Sequence, residues 1–489
     1  MLNYVTRIEF LESGNRLLFL TLVIAAFLAF WKLGAKDIED WDEARQIINA
    51  VEMEHRGNYV DYFYDDKIDT WSSKPPLLIW SMVASYKFLG TSIFSSRLPN
   101  AIASIAFFCI VFSFVRLYRS RWFAFGTCLI LMSCRAVFEA HIGRTADFDG
   151  FLILFLAGFS YFFVRHHDFG HRTAILWAGV CLGLAFYSKG TTSVFLLPGA
   201  LLYTLVSGTF LQQLKNRVVW ITLLIYLIIA GSWLSLSGIY GAGFDETQSV
   251  YGSSNSWTTM FFNDTWDRFV GQAAFENERG AKPFYFFVIL DILMNGWNYV
   301  FYLGVILGSY SLIRLGNGFK KQILNEQNRL LTLSFCMIIT IMLLLEMSAT
   351  KMGWYYAPMF MFVAVIVAET MAFVAKKSVI SSRLVVVIIA VLFAKQFVFM
   401  DSRSSKTTEW LEENIATIEE SDSIFLIGDT RPGLYAQLKL INYHSYLGLP
   451  SVGESNAGSL YVYRSEGNSG FVSSSCNEEF CLGTKLLEE

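Results

Sequence analysis

The sequence predicts an α-helical polytopic membrane protein with about eleven spans, interfacial helices in its first outer loop, and a small soluble α/β domain at its C-terminal end. Three observations carry this. Apolar residues make up 54% of the 489 residues and charged ones 16%, with a mean hydropathy of +0.44, whereas soluble chains run at roughly 45–50% apolar and about 25% charged. Eleven apolar runs approach the length that crosses a hydrocarbon core of about 30 Å. Short basic clusters alternate with acidic loops, as the retention of cationic loops on the inner side requires. A net charge of -3 excludes the basic field of a nucleic-acid binder, and 35 Gly with 8 Pro show no collagen-like period.

The runs are 17–33, 98–118, 122–138, 150–164, 174–187, 191–206, 218–240, 283–313, 330–347, 355–374 and 379–400. The first resembles a secretory signal in length, but sixteen residues of mixed charge precede it and no small-residue cleavage site follows Leu33; it reads as a retained anchor. With the N-terminus inside, the inner side receives Arg116, Arg119 and Arg121, the turn 165–172, Lys215 with Arg217, the loop 314–329, and Lys376, Lys377 and Arg383. Loops 34–97, 139–149, 188–190, 241–282 and 348–354 then fall outside. The stretch 75–89 opens on Pro75 and Pro76 and is too short to span, so it reads as a helix in the outer interface, with Trp80, Tyr86 and Lys87 at headgroup level.

Beyond Met400 the composition turns polar, dividing the chain into a transmembrane domain (1–400) and a soluble outer domain (401–489). The latter carries a strand pattern at 423–428 and a turn at Asp429, Arg431, Pro432 and Gly433. Five of seven cysteines sit in spans as small apolar residues. Cys476 and Cys481 lie in the tail, where a disulfide suits an oxidising compartment. No neighbouring His or Cys completes a zinc set around them.

The outer loops hold the chemistry. In the first, Asp40, Asp42, Glu43 and Arg45 precede a helical pattern (Ile47, Ile48, Val51) that would lie against the membrane with Asp42 and Glu43 at its N-terminal end. Carboxylates there also stabilise a helix end. Asp61, Asp65, Asp66 and Asp69 follow, then Ser72, Ser73, Lys74, Pro75 and Pro76. The second cluster is Arg144, Asp147 and Asp149 at the mouth of a span, where ionisable groups are expensive; an Arg144–Asp147 pair is its plain structural reading. Lys189 occupies a tight Ser-Lys-Gly turn, and Lys351 and Tyr355 the segment 348–358. Lys74, Arg144, Lys189 and Lys351 all lie on the outer face, against the charge bias. Cations beside carboxylates at that interface are what a lipid phosphate and a catalytic base require.

These segments (DWDEAR, SSKPPLLIW, GRTADFDG, Ser-Lys-Gly and SATKMGWYYAP), in this order from Asp40 to Pro358, resemble the GT-C type membrane glycosyltransferases of the ArnT and protein O-mannosyltransferase-like group. The resemblance implies GT-C architecture with 11–13 transmembrane helices and an inverting transfer of a sugar, hexosyl or pentosyl, from a polyprenyl-phosphate donor. The acceptor would be a lipid A-like lipid, a glycan or a protein at the periplasmic face of a bacterial inner membrane. It implies Asp42 as general base, Asp149 or Asp147 as a second acidic residue, and Lys74, Arg144, Lys189, Lys351 and Tyr355 as donor-phosphate ligands, with Glu43 and Arg45 in support. An acidic residue associated with a metal precedes the lysine of KPP in ArnT-like members; Ser73 stands there in this chain, so no metal is assigned, and a divalent ion stays an open alternative. A flippase for a lipid-linked sugar is the alternative, yet it would place ionisable sites near the midplane, where Asp291 alone stands out. An O-antigen ligase or polymerase would concentrate its charges in a late outer loop such as 241–282, which holds Asp245, Glu246, Asp264, Asp267, Arg268, Glu276 and Arg279.

Overall fold

The computed structural model describes residues 2–69, 72–138, 141–240, 259–271, 283–315, 325–326, 328–376, 379–401, 406–427, 431–447, 459–464, 471–476 and 480–485. All eleven apolar runs fall on helix. In chain order these are α1 (Leu2–Phe30), α4 (Ile93–Arg116), α5 (Arg121–Met132) with α6 (Arg135–Phe138), α7 (Asp149–His167), α8 (Ala174–Lys189), α9 (Leu197–Val206) and α11 (Arg217–Tyr240). Then come α12 (Tyr285–Leu293) with α13 (Trp297–Leu315), α14 (Arg329–Met347), α15 (Phe360–Ala375) and α16 (Val379–Asp401). Between them lie α2 (Asp42–Arg56), a short hairpin of β1 (Phe63–Tyr64) and β2 (Lys67–Ile68), and α3 (Leu77–Leu89) in the first loop, and α10 (Phe210–Lys215). Six helices are long and apolar enough to cross a membrane by length and composition, among them Ile93–Arg116, Arg217–Ser237 and Gly353–Ala375. Arg121–Met132 and Leu197–Val206 are shorter, because Ser133 ends the first and a 3₁₀ turn, Gly190–Val194, takes the opening residues of the second. Where α8 meets α11 the backbones nearly touch: a Cβ at Gly179 would stand 2.6 Å from the Thr222 carbonyl oxygen.

The run 283–313 is broken, not continuous. Asn295 (φ 54) and Gly296 (φ 99) turn the chain between α12 and α13. The Asn295 amide donates to the carbonyls of Ser133 (2.9 Å) and Leu392 (3.2 Å), fixing the break. Asp291 therefore sits on a nine-residue helix ahead of that break, its carboxylate accepting from the Asn298 amide at 2.5 Å.

α2 also departs from expectation. It buries nearly every residue from Glu43 to Met53, because it lies between α3 and a helix of the tail and not on a lipid surface. That tail helix is α19 (Pro432–Ile441), preceded by α17 (Lys406–Glu413) and α18 (Ile415–Glu419). It covers one face of a five-stranded sheet of order β4-β3-β5-β7-β6, formed by β3 (Ser423–Ile427), β4 (Ser445–Leu447), β5 (Ser459–Arg464), β6 (Phe471–Cys476) and β7 (Phe480–Lys485). β4, β3 and β5 are parallel, and β7 is antiparallel to both β5 and β6. Ile424, Leu426, Leu460, Val462 and Leu482 form the covered face. A disulfide joins Cys476 to Cys481 across paired strands. Asp429 lies outside the described residues.

The sheet domain is bound to the first loop by polar contacts that burial makes costly to break. Lys439 on α19 pairs with Glu52 on α2 at 2.7 Å, both nearly inaccessible. The Tyr443 hydroxyl donates to the other Glu52 oxygen (2.8 Å) and its ring stacks on His55 at 3.5 Å. The Gly433 N–H donates to Asp40 (2.9 Å), and the Tyr435 hydroxyl to Asp65 (3.1 Å). Lys439→Met is expected to leave Glu52 short of a partner and cost about 1–3 kcal/mol. The check is a thermal melt of the variant in detergent, where an unchanged Tm would contradict a clamping role.

Candidate active site

Three segments converge where the first loop meets the mouths of α7 and α8. The first is the N-terminus of α2, entered through Trp41, whose backbone is held in the left-handed region (φ 71) although it is not glycine. Such a conformation costs on the order of 1–3 kcal/mol and persists only where the surroundings impose it. Here Glu43 imposes it. Its buried carboxylate takes two hydrogen bonds from Arg97, at 2.7 and 2.9 Å, and accepts the N–H of Glu39 and of Ala146, each at 2.8 Å. Arg97 in turn donates to the carbonyls of Leu33, Lys36 and Asp37. Burial would push the Glu43 carboxyl up, but the Arg97 charge and hydrogen bonds hold it below the usual glutamate value. One ion pair thus fixes both the residue after Asp42 and the turn before Asp147. Arg45 stays within the loop, forked onto Asp69 at 2.8 and 2.6 Å.

The second segment is the turn 141–150. Asn100 on α4 donates to the carbonyls of Thr145 (2.6 Å) and Asp147 (2.5 Å). A Cβ at Gly150 would lie 2.7 Å from both Asn100 Oδ1 and the Ile142 carbonyl oxygen, so the turn closes only around glycine. Gly150→Ala is expected to destabilise the fold by about 1–3 kcal/mol, measured as a lower Tm in detergent; an unchanged Tm would show that the turn can yield. His141 (φ 70) pairs with Asp147, and its Nδ1 stands 3.8 Å from Asp42 Oδ2. Its ring lies 3.8 Å from that of Trp354. Burial would lower the imidazole's affinity for protons, yet the hydrogen bond and charge of Asp147, with Asp42 and Asp149, push its pKa up to about 9. Asp147 is correspondingly held below the usual carboxylate range despite its burial. The partner of Asp147 is therefore His141, in place of Arg144, whose guanidinium donates to the Trp31 carbonyl at the end of α1.

Cations form the third side. Lys189 pairs with Asp149 and stands 5.4 Å from the Tyr355 ring centre; Lys74 stands 5.1 Å from that of Phe148. A π-helical segment, Thr259–Asp267, runs into Arg268, which donates to the Tyr355 hydroxyl (3.0 Å) and pairs with Asp264 (3.1 Å). Burial opposes the Arg268 charge, but Tyr355, Asp264 and Asp42 favour it and raise its pKa. Asp264 also accepts the Ser73 hydroxyl. Lys351 lies farther out, paired with Glu346 at 2.9 Å on the wall of an apolar cavity of about 1000 Å³ lined by Phe269, Phe286, Phe287, Met342 and Leu343.

The structure thus brings together Asp42, Asp147, Asp149, Lys74, Lys189 and Tyr355, and sets Arg144, Lys351 and Arg45 on neighbouring contacts. His141, Arg97, Asp264, Arg268 and Glu346 join them without having been singled out as site residues. Of these, Arg97 carried a signal: an arginine at the mouth of an apolar run implies a buried partner. Asp245, Glu246, Glu276 and Arg279 lie outside the described residues.

Residues 73–235 match the family model described as dolichyl-phosphate-mannose-protein mannosyltransferase. Among solved structures, ArnT from Cupriavidus metallidurans bound to undecaprenyl phosphate aligns with a TM-score of 0.71 over 95% of this chain and 97% of its own, at 13% identity. The chain has the GT-C fold of ArnT. The apo form of that ArnT gives 0.69, and the apo oligosaccharyltransferase of Archaeoglobus fulgidus 0.56 over 88% of this chain and 64% of its own, also at 13% identity. No curated protein sequence matches significantly. Ser73, before Lys74, is bonded to Asp264, which also pairs with Arg268. Asp42, His141 and Asp147 each offer one metal-ligand atom, all within 4.8 Å of one another.

Proposed function

We propose that this protein is an inverting glycosyltransferase that moves a sugar from a polyprenyl-phosphate donor to a lipid, glycan or protein acceptor at the periplasmic face of a bacterial inner membrane. The observation that carries the reading is a half-exposed carboxylate, Asp42, within one site whose opposite side is cationic: Lys74, Lys189 and Arg268 with Tyr355. Asp42 takes the proton of the acceptor hydroxyl as its oxygen attacks the anomeric carbon. The bond from that carbon to the phosphate oxygen breaks on the opposite face, inverting the centre, and the departing phosphate gains negative charge. Fixed cations stabilise that charge more in the transition state than in the bound donor. The apolar cavity beside Lys351 offers room for isoprenoid units next to the phosphate site.

All these groups lie on the face of the first loop, an asymmetry that suits a transferase better than a carrier, which needs a site reached from both sides. The test uses purified protein, radiolabelled polyprenyl-phosphate sugars and a membrane extract. Label transferred to an extract component supports the reading. Donor binding without transfer would move it to a flippase for a lipid-linked sugar.

A further inference from the structure

We propose that the indole of Trp41 is the stacking platform for the acceptor, and that the acceptor presents an uncharged sugar ring to it. This deepens the transferase reading and rests on it for the role of Asp42. Trp41 is 73% exposed and immediately precedes Asp42, which puts their Cα atoms about 3.8 Å apart. Its backbone is fixed from both sides: Asp40 accepts the Gly433 N–H at 2.9 Å, and Glu43 is locked to Arg97. Glycine would take the left-handed φ of 71° without strain, whereas a bulky side chain there is costly. The fold gains no contact in return, since among the described residues the indole makes no ring contact and no hydrogen bond. What the chain keeps at this position is an open aromatic face, held rigidly beside the base.

The surroundings select the ligand. Asp40 is exposed and Asp42 half-exposed, while the cations nearest in sequence, Lys36 and Arg45, are paired with Glu39 and Asp69. A sugar ring lays its C–H face on an aromatic plane and donates its hydroxyls to carboxylates at the edge. A phosphate-bearing head would be repelled by the same carboxylates, and an acyl chain would strip them of water without a partner. A second indole, Trp354, lies 3.8 Å from the His141 ring, whose Nδ1 stands 3.8 Å from Asp42, so aromatic surface recurs next to the base. The donor half is built the other way, from Lys74, Lys189 and Arg268 with Tyr355. One half of the site thus suits a phosphate, and the half that opens at Trp41 suits a neutral, hydroxyl-bearing ring.

The experiment uses full-length protein labelled with fluorotryptophan, in lipid nanodiscs free of sugar-headed detergent. The Trp41 fluorine resonance is assigned by its loss in Trp41→Phe. It is expected to shift on titration with hexyl β-glucoside and to stay in place with hexyl phosphate and with hexanol. In the transfer assay, Trp41→Gly should need about tenfold more membrane extract for half-maximal rate, with maximal rate and donor affinity within about twofold. Its Tm should be no lower than wild type, because glycine relieves the left-handed strain. Trp41→Phe, which keeps an aromatic face, should need only about threefold more extract. Four results would overturn the platform: no shift with the glucoside, a larger shift with the phosphate, an equal shift with hexanol, which would make Trp41 a lipid-interface anchor, or an unchanged extract requirement in Trp41→Gly. A glucoside shift in a protein that transfers no sugar would keep the site and remove the transferase reading; transfer with an unchanged requirement in Trp41→Gly would do the reverse.

Discussion

Asp42→Asn is expected to lower sugar transfer by about 10³-fold and to leave donor affinity within about twofold. The expected size follows from the role: asparagine matches the shape of aspartate and cannot take a proton, so the acceptor oxygen must attack while still protonated. Donor affinity should survive because, on the proposed reading, the phosphate would be held by Lys74, Lys189 and Arg268, whose positions rest on Phe148 and Tyr355. Single-turnover transfer with saturating donor, beside equilibrium binding of polyprenyl phosphate, separates the two quantities. Near-normal turnover in a folded Asp42→Asn would remove Asp42 as the base. A parallel loss of donor binding would instead make Asp42 part of the donor site. His141→Gln gives the comparison, because it leaves the Asp42 carboxylate intact while altering its neighbour.

The second large effect concerns stability. Arg97→Met should cost about 3–5 kcal/mol, because it strips a buried carboxylate of its partner and frees three carbonyls as well. Glu43→Gln should cost less, since an amide oxygen still accepts the N–H of Ala146. The pH dependence has a definite sign. The Glu43 carboxyl is held lower in the folded protein than in the unfolded chain. Its contribution is therefore complete above the ordinary glutamate value, about 4.3, and fades as pH falls through the lower folded value. Thermal melts of wild type across the acid range should show this loss, and Glu43→Gln should show less of it. A melt of Arg97→Met equal to wild type would mean that the pair is solvated.

Much of this architecture was legible in the residues, and the reasons differ from part to part. Helical runs announce themselves because a bilayer tolerates only long apolar stretches, so all eleven fell on helix. Asp42, Asp147, Asp149, Lys74 and Lys189 stood out because charge at a membrane boundary is unusual. What stayed hidden was pairing across sequence distance. His141 looks like an ordinary turn residue until the fold brings it between Asp42 and Asp147. Asp264 and Arg268 sat in a loop whose charges suggested a different enzyme, and only the bonds to Ser73 and Tyr355 tie them to this site. The break at Asn295 was hidden for a related reason: its amide is satisfied by carbonyls of two other helices, so local composition reads straight through it. α2 was misplaced onto the membrane because its Ile47, Ile48 and Val51 face apolar neighbours supplied by protein, including a helix some four hundred residues away in sequence.

That last contact bears on the order in which a nascent chain can mature. Glu52 leaves the ribosome long before Lys439 and Tyr443. Until they emerge, Glu52 has Arg56 of its own helix as a partner but lacks the two that cover this face. The helix that begins with Asp42 therefore reaches its final place only after the sheet domain has been made and has met the first loop. On the proposed transferase reading, the site would stay incomplete, and the protein idle, until that contact forms.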